Sequence, residues 1–211
     1  MRVDDIFPPE VIDEDIRKWM GGALAAGTLA TTPAMLAPEQ NLKTPSPLAV
    51  LAQTMWGEAR SHGPLGMLAV GFVIKNRAES DLHGRFGHGI ANVALKNKQF
   101  SCWNKGDPNR EAMKQMKAID GIIKSKTPPA GEKSYTEWLA KFKQSNEFRE
   151  YKAWREAFDL ASEVLNGSVK DPTKGATYYH TTAIHPTWAD DMDRVGKVAD
   201  HIFYKLPSDQ G

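Results

Sequence analysis

The chain has a single cysteine, Cys102, among 211 residues, which excludes an intramolecular disulfide and leaves the redox compartment open. It has almost no net charge: 27 basic residues against 26 acidic ones give +1 at pH 7. That balance offers no polyelectrolyte surface, so nucleic acid is not an expected partner. Internal repeats and low-complexity tracts are missing, and so is a stable membrane span. Residues 19–37 are uncharged and rich in Gly and Ala, but they are too weakly apolar, and broken by Pro33, to cross a bilayer. What the chain does have is length enough for a real core, in one domain or two small ones. It also has six tryptophans, which fill cores in most proteins but stack equally well on sugar rings.

Residues 1–46 read as an N-terminal arm and linker. Residues 1–18 alternate acidic and apolar character, and Glu10 to Trp19 can form a short amphipathic helix. Arg17-Lys18 before the Gly/Ala-rich run and Thr32-Pro33-Ala34 within it imitate an export signal. The acidic stretch ahead of them argues for an arm instead. A weak export or tethering segment and a docking segment for a larger assembly stand as alternatives. Pro38, Pro45 and Pro47 punctuate the linker.

The remainder, residues 47–207, is mostly helical. In PLAVLAQTMWG (residues 47–57), Leu48, Leu51, Ala52 and Met55 recur at helical spacing, so one face is core. Glu58 follows, then Arg60, His62 and a Gly63-Pro64 breaker. A glutamate at the edge of an apolar layer beside Trp56 is in a setting that raises a carboxyl pKa by desolvation, as a general acid for glycoside cleavage requires. Residues 64–80 form a second apolar helix in which Gly66 and Gly71 permit close packing. The run from Leu82 to Gly89 reads as a break that places His83 and His88 in a loop. Residues 90–96 are a short helix, 98–107 a polar-aromatic loop, and 108–125 a helix opened by Pro108. Residues 126–150 form a charged insert with a helix around Tyr135 to Gln144, Trp138 and Phe142 turning inward. A long helix over 150–166 stops at Asn166-Gly167. Strand character then appears in Ala176 to His180, and a hairpin in Arg194 to Lys197 and His201 to Lys205.

Three pieces stand in order: WGEAR with the following AVGFVIKNR, then QFSCW, then ATYYH with the final RVGKVADHIFY. In that order and spacing they resemble the SleB-like cell-wall hydrolases, the family of spore-cortex-lytic enzymes with phage and Gram-negative relatives. The resemblance covers residues 48–205; the N-terminal arm and the 126–150 insert depart from it. It implies an α+β, mainly helical, lysozyme-like or lytic-transglycosylase-like catalytic domain with a small antiparallel sheet near the C-terminus. It implies cleavage of peptidoglycan glycan strands in the periplasm or cell envelope, with no cofactor and no metal. A phage or Gram-negative bacterial source is also implied; a phage enzyme would be a cytoplasm-made lysin or a virion component whose residues 1–46 meet virion proteins.

The residue that carries over as acid/base is Glu58. One carboxyl suffices for a lytic transglycosylase, which closes a 1,6-anhydro ring without water, whereas a hydrolase ordinarily needs a second carboxylate. Asp107, Asp190, Asp191 and Asp193 are candidates for that second group, and the transglycosylase is favoured. Substrate contacts are assigned to Trp56, Gln99, Ser101 and Trp103, with Phe100 as a core anchor. Alternation along the strand puts Tyr178 and His180 on one face, taken as the cleft side, and Tyr179 on the other. Rival chemistries are a cysteine peptidase built on Cys102 with His180 or His185, and a metal amidase built on His180, His185, Asp190 and Asp193. A third rival is a non-catalytic peptidoglycan-binding or virion protein.

Overall fold

The computed structural model describes residues 45–80 and 82–207. The arm and linker expected over residues 1–46 lie, up to residue 44, outside the described residues.

Helix α1 (Pro47–Ala59) starts on a proline at its first turn and is buried on nearly every side through Val50, Leu51, Ala52, Thr54, Met55, Trp56, Gly57 and Ala59. It is enclosed by α2 (Gly63–Glu79), α4 (Ile90–Leu95), α5 (Pro108–Ser125) and α7 (Asn146–Asn166). Gly71 brings α2 close to α1, since a Cβ there would stand 2.8 Å from the Met55 sulfur. Helix α7 buries Tyr151, Trp154, Ala157, Ala161 and Val164, one stripe at helical spacing. It begins four residues earlier than its apolar pattern alone indicates, because Ser145 caps it by accepting from the Phe148 N–H at 3.2 Å. Its end is as expected, with Gly167 left-handed at φ 76°. The expected break after Leu82 contains a one-turn helix, α3 (His83–Phe86), held by the Leu82 carbonyl and anchored by the buried ring of Phe86.

The 126–150 segment packs against this bundle through α6 (Tyr135–Phe142), which Ser134 caps. Trp138 stacks on Phe142 at 5.0 Å, and Phe142 meets Phe148 and Tyr151 edge-on. The inward turn of Trp138 and Phe142 is therefore as expected.

Three antiparallel strands complete the α+β architecture: β1 (Tyr178–Thr181), β2 (Asp193–Val198) and β3 (His201–Lys205), with β3 central. Strands β2 and β3 form the expected hairpin around Ala199-Asp200, and β2 bulges between Arg194 and Gly196. Tyr179 pairs with Phe203 and Tyr178 with Tyr204. Phe203 packs with Ala69 and Val73 of α2, and Tyr179 lies against that cluster. On the opposite face, Tyr178, His180 and Tyr204 gather around Trp188, from the turn Thr187–Asp191. No helix among the described residues is long and apolar enough to cross a membrane.

Candidate active site

Glu58 sits in the last turn of α1, half-buried at the rim of the core. The loop from Gln99 to Asn104 crosses that rim, with a short helical turn at Ser101–Trp103. Gly57 makes the crossing close: a Cβ there would stand 2.7 Å from Cys102 Cβ and 3.0 Å from its sulfur. The Cys102 backbone N–H consequently reaches Glu58 and donates to Oε1 at 2.8 Å, and the Ser101 hydroxyl donates to the same oxygen at 3.1 Å.

Tyr179 closes the arrangement from the sheet. Burial pushes its hydroxyl well above the ordinary tyrosine value; the charge of Glu58 and a hydrogen bond between the two side chains raise it further. The ring is fixed by stacking on Phe203 at 5.7 Å and by edge contact with His201 at 5.0 Å. The face of β1 expected to line the cleft, with Tyr178 and His180, lies away from Glu58. Tyr179 meets Glu58, while His180 is buried on the other face, its ring nitrogens against the Thr181 carbonyl and the Tyr204 hydroxyl. Tyr178 lies on that outer face too, under Arg85 and beside Phe86 and Trp188.

Trp56, expected to contact substrate, lies in the core. It is fully buried, donates its indole N–H to the Glu150 carbonyl at 3.2 Å, meets Trp154 edge-on and lies beneath Arg60. Residues two apart on a helix do not share a face, so Trp56 looks toward α7 while Glu58 looks toward the loop. Trp103 is half-exposed and oriented by its indole N–H, which donates to Thr54 Oγ1 at 2.9 Å. Ser101 is exposed, and Phe100 is buried as expected.

Gln99 does not reach Glu58 directly. Its Oε1 accepts from Arg77 Nη1 at 3.0 Å, and Arg77 Nε donates to the Thr177 carbonyl at 2.7 Å. Arg77, to which the sequence pattern assigns no role, is buried between Phe86 and Phe100. Its neighbour Asn76 ties α2 to the approach to β1, donating to Asp171 Oδ2 and to the Ala176 carbonyl, each at 3.0 Å.

The rival sites fare differently. The Cys102 side chain is fully buried, and burial, followed by the charge of Glu58, drives its pKa far upward, so the thiol stays protonated. That removes the nucleophile of a cysteine peptidase. Among the described residues no group of three or more His, Cys, Asp or Glu is placed to hold a metal ion. His185 instead pairs with Asp190 at 2.8 Å. An apolar cleft of about 440 Å³ between α5 and α6, bordered by Ile119, Ile122, Trp138 and Phe142, shares no residue with the Glu58 site.

Residues 61–204, more than half of the chain, match the family model described as cell wall hydrolase. The chain belongs to the cell wall hydrolase family. As a member it is a peptidoglycan-degrading enzyme, whose substrate lies outside the cytoplasm. The matched span begins just after Glu58 and takes in Arg77, the Gln99–Trp103 loop and all of the sheet but its last residue, Lys205. Among solved structures, the catalytic domain of Bacillus cereus SleB is similar at 20% identity, covering 81% of this chain and all of that one, with a TM-score of 0.46. The catalytic domain of the germination-specific lytic transglycosylase SleB from Bacillus anthracis is similar at 20% identity, covering 80% of this chain and all of that one, with a TM-score of 0.45. No curated protein matches the chain.

Proposed function

We propose that the enzyme cleaves the glycosidic bond between N-acetylmuramic acid and N-acetylglucosamine as a lytic transglycosylase, with Glu58 as its single acid/base. The supporting observation is the setting of Glu58. It is a half-buried carboxylate oriented by the Cys102 N–H and the Ser101 hydroxyl, and no second carboxylate among the described residues is bonded to it or to those donors. In this reading protonated Glu58 gives its proton to the bridging oxygen, and the bond to muramoyl C1 breaks with oxocarbenium character. The same carboxylate then takes the proton of the muramoyl C6 hydroxyl as that oxygen closes on C1. The 1,6-anhydro product forms, no water is consumed and Glu58 is again protonated. Ser101 and Cys102 hold the carboxyl in one orientation through both transfers. Trp103 on the same turn is proposed as a sugar-stacking surface.

A hydrolytic reading is favoured by one observation. Of the four aspartates considered, only Asp107 lies near enough for its charge to raise the Cys102 thiol, although its Oδ1 also caps α5 by accepting from the Asn109 N–H at 2.8 Å. The biological setting proposed is a phage lysin or virion-associated enzyme, with residues 1–46 as the segment that meets virion proteins. That part rests on the resemblance alone.

The deciding experiment digests purified sacculi with wild type, Glu58→Gln and Asp107→Asn and identifies the chain ends by mass spectrometry. Anhydromuramoyl ends that vanish only with Glu58→Gln are expected. Reducing ends lost with both variants would establish hydrolysis, and cut peptides on intact glycan would remove the Glu58 reading.

A further inference from the structure

Two separate segments converge on Glu58. The Gln99–Trp103 loop brings the Ser101 hydroxyl and the Cys102 N–H, and strand β1 brings Tyr179. Both segments are fastened to one side chain. Arg77 donates from Nη1 to Gln99 Oε1 at 3.0 Å and from Nε to the Thr177 carbonyl, two residues before Tyr179, at 2.7 Å. The guanidinium lies over Phe86 at 5.1 Å and Phe100 at 5.2 Å, the second ring belonging to the same loop. Arg77 is 6% exposed, and no carboxylate among the described residues forms an ion pair with it. A buried guanidinium without a carboxylate is costly to keep. Its planar fork, however, can hold two acceptors at a fixed separation, which an ammonium on a flexible stem cannot.

We propose that Arg77 is a positioning residue for the acid/base. Through Gln99 it sets where the Ser101 and Cys102 donors stand, through Thr177 it sets where Tyr179 stands, and Glu58 is thereby held between them. The proposal rests on the reading of Glu58 as acid/base. It also gives Gln99 a different task from sugar binding, because its side-chain carbonyl is spent on Arg77.

The test measures kcat and KM on soluble, uncross-linked glycan strands for wild type, Arg77→Lys, Gln99→Leu, their double variant and Glu58→Gln, with a thermal midpoint and a pH–rate profile for each. Arg77→Lys keeps the charge and loses the fork. It is expected to lower kcat by about 10- to 100-fold, the range that an ångström-scale misplacement produces, with KM little changed. Gln99→Leu is expected to lower kcat in the same way, and the double variant to be no worse than the poorer single one. The pH–rate profile should shift in Arg77→Lys as the donors around Glu58 move. Should Arg77→Lys fail to fold, Gln99→Leu on the half-buried loop carries the test through the same kcat–KM split. Wild-type kcat and pH profile in Arg77→Lys with only a lowered midpoint would mean that Arg77 is purely structural. A raised KM at unchanged kcat in Gln99→Leu would mean that Gln99 binds sugar. Either result overturns the proposal while Glu58→Gln is inactive. Full activity of Glu58→Gln would overturn the acid/base reading and this inference with it.

Discussion

Cys102 gives its backbone N–H to Glu58 while its side chain fills the space above Gly57, the residue just before that glutamate. Loop and helix therefore touch at a point where no side chain can intervene, and the acid/base candidate is placed by backbone rather than by a flexible partner.

Gly57→Ala tests that contact. Alanine gains about 1 kcal/mol of helix propensity over glycine, yet its methyl would sit 2.7 Å from Cys102 Cβ and 3.4 Å from the Met113 sulfur. Overpacking of this kind costs about 1–3 kcal/mol, so the net effect should be destabilising and the loop should lift from Glu58. Denaturant melts and glycan cleavage should fall together; unchanged activity would show that the close approach is dispensable.

Cys102→Ala separates the side chain from the backbone at the same position. The N–H that reaches Glu58 survives the substitution, so sacculus digestion should persist, with a modest stability loss from the vacated volume. The native thiol should resist alkylation until the protein is unfolded, since burial and the neighbouring Glu58 charge keep it protonated. Rapid alkylation of the native protein would contradict the buried, protonated thiol.

The sequence made the frame of this site legible and its orientation much less so. The apolar spacing of α1, its end near Gly63-Pro64 and the QFSCW loop all follow from local pattern. Its position beside Glu58 in sequence points Trp56 to the site, but the helical turn sends it into the α7 interface. In β1 the alternation was readable, whereas which face meets α2 depends on Phe203 joining Ala69 and Val73 across the chain. Nothing local marks Arg77, for a similar reason: its acceptors, Gln99 and Thr177, lie 22 and 100 residues away.

Tyr179→Phe removes one hydroxyl and keeps the ring on Phe203 and His201. A hydrogen bond to a charged group contributes about 1.5–3 kcal/mol, so kcat should drop by about 10- to 100-fold with the melting profile preserved. Because the folded hydroxyl ionises well above its ordinary value, its stabilising contribution is complete below about pH 10 and declines above it. The phenylalanine variant should lose that alkaline decline, and wild-type kcat in this variant would remove Tyr179 from the machinery.

His201 gives the enzyme an acid-sensitive joint. It is 4% exposed on β3, its ring 4.8 Å from that of His62 and 5.0 Å from that of Tyr179. Burial lowers its pKa, with the facing His62 and the nearby His180 adding to the effect, while Asp200 opposes them. A histidine whose folded pKa is depressed contributes stability that is fully present above the unfolded value, about 6.5, and is lost as pH falls through the folded one. The unfolding free energy from urea titrations should therefore decline as pH falls below about 6.5, with a slope of up to about 1.4 kcal/mol per pH unit for one proton. His201→Gln should flatten that slope whatever it does to the absolute stability. A slope the same in both proteins would place the acid sensitivity on other groups. Because the His201 ring also buttresses Tyr179, glycan cleavage by the wild type should fade over the same pH interval, ahead of global unfolding.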